Sequence, residues 1–168
     1  MPTGMAIKPM EARSVAEIPA GPEWQYEPKW DGFRCLARRD DDEVELTSKS
    51  GQSLTRYFPE VVSWLLALKA RRFLLDGELV VPDGAGLSFD ALLQRIHPAP
   101  SRVRRLAEET PAILIAFDLL IDERGRSFVE DNLETRRSAL EAFGRRYFKG
   151  QEVVRLSPAT TDLKMAMS

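Results

Sequence analysis

Glu27-Pro28-Lys29-Trp30-Asp31-Gly32-Phe33-Arg34 sets a lysine two positions before an Asp-Gly step and an arginine five positions beyond that lysine. Asp-Gly is a strong short-hairpin signal between extended segments, because glycine tolerates the positive φ of a tight primed turn. WQYEPKW, residues 24–30, runs into the step and FRCLARR, residues 33–39, runs out of it, which predicts strand, turn, strand. With a two-residue loop, Trp30 faces Phe33 and Lys29 faces Arg34 on the same side. Directly opposed cations destabilise a strand pair, so an anion such as a phosphate is expected between them. An unperturbed lysine titrates near ~10.4, leaving roughly one molecule in a few thousand uncharged at neutral pH. A neighbouring cation and partial burial both lower that value and free the amine as a nucleophile. A solvated hairpin lysine fits the same residues, and the surrounding sequence decides between the two.

Two apolar runs with embedded acids lie downstream. In FLLDGELVV, residues 73–81, alternation places Asp76 and Glu78 on one face with Leu74 and Val80, while Phe73, Leu75, Leu79 and Val81 share the other. Ionised groups in such company cost several kcal/mol unless they find partners, a metal or a polar ligand; Arg71 or Arg72 could supply a salt bridge. In ILIAFDLLI, residues 113–121, the same alternation groups Phe117 with Ile113, Ile115, Leu119 and Ile121, and puts Asp118 on the opposite face. A phenylalanine there is either core or a platform for a flat ligand. Ahead of both, Thr47-Ser48-Lys49-Ser50-Gly51 forms a polar turn after a strand at 43–46.

The remaining layout is a helix from about Phe58 to Ala70 with Pro59 in its first turn and Val62, Leu65, Leu66 and Lys69 on one side. Asp83-Gly84-Ala85-Gly86 ends the second run. Ser88 caps a short helix through Ile96, Ser101 starts another through Glu109, and Asp131-Asn132 precede a helix from Leu133 to about Phe148. That last helix has Leu133, Leu140, Phe143 and Tyr147 on its core side. Glu152 to Leu156 is a final strand, and Ser157 to Asp162 introduces a short helix. Strands with inserted helices and no internal repeat predict α+β with mainly antiparallel sheets and flanking helices.

Composition fits one domain: 168 residues with 43% hydrophobic content can bury a core. No apolar run approaches a membrane span, and MPTGMAIKPMEARS at the N-terminus lacks a signal-peptide core, so a cytoplasmic protein without a membrane partner is expected. The single cysteine, Cys35, rules out an intramolecular disulfide or Cys-cluster zinc site, and the single histidine, His97, leaves little for His-based metal sites or triads. Cys35 is expected to pack as a small apolar residue and His97 to sit in a loop or cap. A net charge of −2 is far from the basic excess of a nonspecific DNA binder. Arg102, Arg104 and Arg105, and then Arg136, Arg137, Arg145 and Arg146, form basic clusters that either touch a DNA backbone or pair with acids such as Glu108, Glu109, Glu134 and Glu141.

Lys29-Trp30-Asp31-Gly32-Phe33-Arg34 resembles the Lys-x-Asp-Gly-x-Arg nucleophile motif of the covalent nucleotidyltransferases, which comprise DNA ligases, RNA ligases and mRNA capping enzymes. Its companions follow in order: Ser48-Lys49-Ser50-Gly51, Asp76-Gly77-Glu78 and Phe117-Asp118. The EPKWDGFR, TRYFPE, QRIHPA and AFDLL segments are similar to small bacterial repair ligases that use ATP. The resemblance implies the DNA ligase/mRNA capping enzyme nucleotidyltransferase fold, ATP-grasp-like and incomplete at the C-terminus. It also implies that Lys29 becomes a lysyl-adenylate, with AMP then passed to a DNA 5′-phosphate and the nick sealed. By the same resemblance Glu27 lies at the adenine edge, Arg34 belongs to the nucleotide site, Phe117 stacks on the base, and Lys49 helps hold the DNA 5′-phosphate where many members have arginine. Glu78 binds the ribose and helps organise a Mg²⁺ site; Arg56 belongs to a recurrent segment at a helix start. Implied ligands are ATP, Mg²⁺ and nicked or broken double-stranded DNA, with a DNA end-binding repair protein as a possible partner. The site of action is then the bacterial nucleoid. The short leader before Lys29 argues against an NAD-dependent ligase.

The family's later acidic glycine element, its lysine-bearing strand and its OB-fold domain have no counterpart in residues 1–168, which match the N-terminal part of the adenylation domain. Weak or no adenylation by this polypeptide alone is therefore expected. Two other readings stay open: an RNA ligase or capping-type nucleotidyltransferase, and a nonenzymatic nucleotide- or DNA-binding remnant.

Overall fold

The computed structural model describes residues 7–149 and 153–168. Its strands are β1 (Phe33–Asp40), β2 (Glu43–Ser48), β3 (Arg72–Val80), β4 (Pro82–Asp83), β5 (Gly86–Leu87), β6 (Ile113–Ile121) and β7 (Val154–Leu156). The helices are α1 (Pro59–Ala67), α2 (Phe89–Leu93), α3 (Pro100–Glu109), α4 (Leu133–Tyr147) and α5 (Leu163–Met167), with a 3-10 turn at Thr55–Tyr57. Five strands form one sheet in the order β2-β1-β3-β6-β7, antiparallel except for the β6–β7 pair, while β4 and β5 make a small separate hairpin. The α+β expectation with mainly antiparallel pairing is met. Glu152, the expected start of the last strand, lies outside the described residues.

The sheet has two unlike faces. On one, Ala37, Phe73, Leu75, Leu79, Leu114, Ala116 and Leu119 pack under α1 and α4, meeting Val61, Leu65, Leu140 and Phe143 in the main core. On the other, two small apolar clusters, Leu36-Leu74-Leu120-Ile121 and Val80-Ile113-Ile115 with Trp30, are set apart from one another. Asp76 and Glu78 lie between them in the alternation of β3, as read from FLLDGELVV. Cys35 is fully buried in the main core, and that burial pushes its thiol pKa up.

The expected Asp31-Gly32 hairpin does not exist. Residues 24–32 form no strand beyond one bridge from Tyr26 to Thr160, and β1 pairs instead with β2 and β3. Gly32 serves a different end: a Cβ there would collide with the backbone carbonyl oxygen of Leu79 and stand 2.8 Å from Val80 Cγ1. Glycine lets the loop press flat on β3. The hairpin that does form turns between β1 and β2 at Asp41, whose φ of 52° is left-handed, a conformation aspartate tolerates better than most.

Three helix caps fall where the sequence puts them, but Ser101, the expected start of α3, lies inside it: the helix begins at Pro100 after Ala99, with no side-chain cap. Ser88 accepts from the Ala91 amide at 3.1 Å, Asn132 from Thr135 at 2.9 Å, and Asp162 from Lys164 at 2.9 Å. His97 Nδ1 accepts from the Ala99 amide at 3.0 Å, the expected capping role. The buried stripe of α1 is rotated by one residue from expectation, to Val61, Leu65 and Leu68, with Leu66 and Lys69 exposed. Arg39 of β1 meets the end of this helix. It is 4% exposed, and its Nη1 donates to the carbonyls of Leu65, Leu68 and Ala70, tying β1 to the end of α1.

Candidate active site

A cavity of about 1260 Å³ opens on the less covered face of the sheet. Its lining draws together Glu27, Lys29, Arg34, Lys49, Glu78 and Phe117, every site residue expected from sequence. Lys29 and Glu27 arrive on the loop before β1, Arg34 on β1, Lys49 on the turn after β2, Glu78 on β3 and Phe117 on β6. Lys29 is exposed to the cavity. Its neighbour Trp30 fixes the loop: the ring packs on Val80, Ile113 and Ile115, and its indole N–H donates to Ser157 Oγ at 3.0 Å.

Arg34 does not face Lys29 across a strand pair, since Lys29 precedes β1. Its guanidinium instead grips Asp76 with two bonds, Nε to Oδ1 at 2.7 Å and Nη2 to Oδ2 at 2.6 Å, and lies 4.8 Å from the Phe117 ring centre. The salt-bridge partner of Asp76 is thus Arg34. Arg71 pairs with Asp41 and Asp42, and Arg72 with Asp40. Burial lifts the Asp76 carboxyl above its ordinary range, and the bonds from Arg34 pull back part of that rise.

Phe117 reaches the cavity through a break in the ladder. In the β3–β6 register Gly77 pairs with Ala116 and Asp76 with Asp118, so Phe117 is an extra residue without a partner. Such bulges re-aim side chains next to functional sites. Asp118 therefore sits opposite Asp76 on the cavity side, and Leu119 opposite Leu75 in the core. Strict alternation had put Asp118 on the opposite face from Phe117, with Leu119 beside it; the bulge overturns both placements. Gly77 is required here too, because a Cβ would strike the Ile115 carbonyl oxygen.

Besides Asp76, three carboxylates at or beside the cavity, Glu78, Glu27 and Asp118, are harder to ionise than usual. Glu78 is raised to about 7, chiefly by burial, against the opposing pull of Arg34 and of the Gly32 amide bonded to it. Burial likewise raises Glu27, with a bond from Gln25 and the charge of Arg137 opposing, and Asp118, opposed by Arg136. Arg136 Nε bonds both Asp118 oxygens at 3.0 and 3.1 Å, and Nη1 bonds the Asp131 carbonyl at 2.7 Å.

Arg136 and Arg137 were candidates for a DNA-facing cluster; both are buried against this site instead. The signal was available, since positions 136, 137, 140, 143 and 147 form one helical stripe and charged residues on an apolar stripe need partners inside; Leu133, expected on the same core side, is exposed at the start of the helix. Arg146 is exposed and reaches Glu123 at 3.9 Å, and Arg105 reaches Glu109 at 4.0 Å. Among the described residues Arg56 pairs with no acid; it donates to the Tyr57 hydroxyl at 2.7 Å and lies over that ring.

Lys49 stands at the cavity rim on a turn held by Ser48 Oγ, which accepts from the Gln52 amide at 3.0 Å. Glu11 approaches Lys49 to 3.5 Å, and the Met10 carbonyl accepts from Arg34 at 2.7 Å. The segment around residues 10–12 thus lies along the cavity, a contact that the sequence did not signal.

A family model described as "ATP dependent DNA ligase domain" matches residues 9–160. Among curated proteins, DNA ligase C of Mycobacterium tuberculosis is 46% identical over 99% of this chain and 46% of its own length. DNA ligase C2 of Mycolicibacterium smegmatis is 46% identical over 99% of this chain and 45% of its own. The chain spans about half the length of the curated relatives it matches. Among solved structures, a mycobacterial DNA ligase D complexed with ATP and MES superimposes with a TM-score of 0.62 at 27% identity, over 85% of this chain and 42% of that one. With the motifs in one cavity on the fold of that neighbour, the chain belongs to the ATP-dependent DNA ligase domain family.

Proposed function

We propose that residues 1–168 are the N-terminal part of the adenylation domain of an ATP-dependent DNA ligase, with Lys29 as its nucleophile. The observation that carries this reading is the convergence of Lys29, Glu27, Glu78 and Phe117 in one cavity from three separate parts of the chain. Phe117, held by Arg34, offers a flat face to a purine, and Glu27 offers an acceptor to the edge of the base. Glu78 offers a carboxylate to the ribose, and Lys49 a cation to a DNA 5′-phosphate at the rim.

The neutral amine of Lys29 attacks the α-phosphorus of ATP. A P–N bond forms as the P–O bond to pyrophosphate breaks; pyrophosphate departs and the amine proton passes to solvent. AMP then moves to the 5′-phosphate at a break, and the 3′-hydroxyl displaces it. Mg²⁺ is usually held by one or two carboxylates together with substrate phosphates, and Glu78 suits such a share. Among the described residues no group of three or more His, Cys, Asp or Glu side chains could hold a metal by itself. When bound, the ion would neutralise phosphate charge.

Relatives named for non-homologous end joining, 33% identical over 76% of this chain, favour repair of broken double-stranded DNA beside an end-binding protein in the bacterial cytoplasm. No described helix is long and apolar enough to cross a membrane. The test is incubation with α-labelled ATP and Mg²⁺ followed by intact mass measurement, comparing the chain with Lys29→Ala. Any AMP adduct that this polypeptide forms is expected to be weak and to vanish in the variant, and an adduct that persists there would overturn the assignment of Lys29. A folded chain that binds no ATP, or one labelled by GTP rather than ATP, would overturn the reading.

A further inference from the structure

Arg137 has no place in the chemistry above, yet it is one of the least exposed charged side chains beside the cavity. It enters from α4, 9% exposed. Its Nε donates to Glu141 one turn along the same helix, at 2.9 Å. Its Nη1 is buried without a hydrogen-bond partner, and points to within 3.9 Å of Glu27 Oε1. A buried guanidinium N–H without a partner is costly, so a small movement of Glu27 toward it is favoured. Glu27 is free to make that movement, since it lies on an irregular loop two residues before Lys29 and its other described bond is to Gln25 at 3.1 Å.

We infer that Arg137 is a positioning residue for base selection: its guanidinium holds the Glu27 carboxylate, charged and correctly turned, so that Glu27 accepts from the 6-amino group of adenine. This rests on the nucleotide-binding reading above and extends it to a residue on a different element. A guanine presents a 6-oxo acceptor at that place, which an anchored carboxylate repels; a Glu27 released from Arg137 can rotate away or take up a proton and tolerate it. Discrimination between 6-amino and 6-oxo purines therefore depends on α4, about 110 residues along the chain from the loop it steers.

The test is equilibrium binding of ATP and GTP to the full chain, to Arg137→Met and to Arg137→Gln, which keeps a polar partner for Glu141 if the methionine variant fails to fold. The original chain is expected to prefer ATP, and either folded variant to lose roughly tenfold of that preference, mainly by weaker ATP binding. In a Glu27→Gln background the same Arg137 change is expected to alter the preference no further. An unchanged ATP-to-GTP ratio in a folded Arg137 variant, or an equal effect of the change with and without Glu27, overturns the inference. If the original chain binds neither nucleotide, the functional reading itself fails, a result distinct from loss of selectivity in the variant alone.

Discussion

Glu78 shows how far one position can be governed by its surroundings. Burial raises its pKa to about 7 from an ordinary 4.5, so the folded chain binds that proton more tightly than the unfolded chain does. The associated stability is complete below about pH 4.5 and is lost as pH rises through 7. Glu78→Gln should flatten this dependence. Above pH 7 it should make the fold more stable by on the order of 1–2 kcal/mol, after allowance for solvent screening, as read by denaturant midpoints across pH 4–8. A carboxylate that must ionise to serve a ribose or a metal should in turn make nucleotide binding stronger above pH 7 than below it; a pH-independent affinity would count against that use of Glu78. At this scale the sequence was legible. Lys29, Glu78 and Phe117 stand out by the order of their motifs, and the fold brings all three to one cavity, whereas residue type alone fits a solvated lysine and a core phenylalanine equally well. Arg137 and Asp118 were missed because their meaning depends on what faces them.

Elements were harder to read wherever backbone geometry departs from its ideal period. The Asp-Gly step looked like a turn, but its glycine is there for clearance against β3, and no periodicity reports clearance. The bulge at Phe117 shifts β6 by one residue, so alternation holds for Ile113 and Ile115, fails at Asp118 and Leu119, and returns at Ile121 after a second register shift between Leu74 and Leu75. Helix caps, by contrast, are local hydrogen bonds that a few residues determine, and Ser88, Asn132 and Asp162 all fell where expected. Arg39 is the counterexample among joints: it reads as a strand residue, yet it closes the C-terminal carbonyls of α1 from β1. Arg39→Met should leave those acceptors unpaired and lower stability by roughly 2–4 kcal/mol, with a visible fall in the unfolding midpoint. A loss under about 0.5 kcal/mol would mean that water takes its place.

Across the whole molecule, the sheet separates tasks by face: apolar packing under α1 and α4, acids and the nucleophile loop on the other side. Damage to the two should therefore look different. Leu75→Ala, in the main core, should cost about 2–5 kcal/mol of stability while the molecules that remain folded still bind nucleotide with unchanged affinity. Phe117→Ala, a half-buried position off the ladder, should weaken binding with much less loss of stability. Calorimetric melting beside nucleotide titration separates the two outcomes. Trp30 lies on the cavity side, next in sequence to Lys29, with its indole N–H on Ser157, whereas Trp64 belongs to α1 under the opposite face and Trp24 is largely exposed. With Trp24 and Trp64 replaced by phenylalanine, the protein would carry a single tryptophan in the residue next to Lys29, and excitation at wavelengths its three tyrosines do not absorb would let emission colour and quenching follow the nucleophile loop in real time without any attached dye.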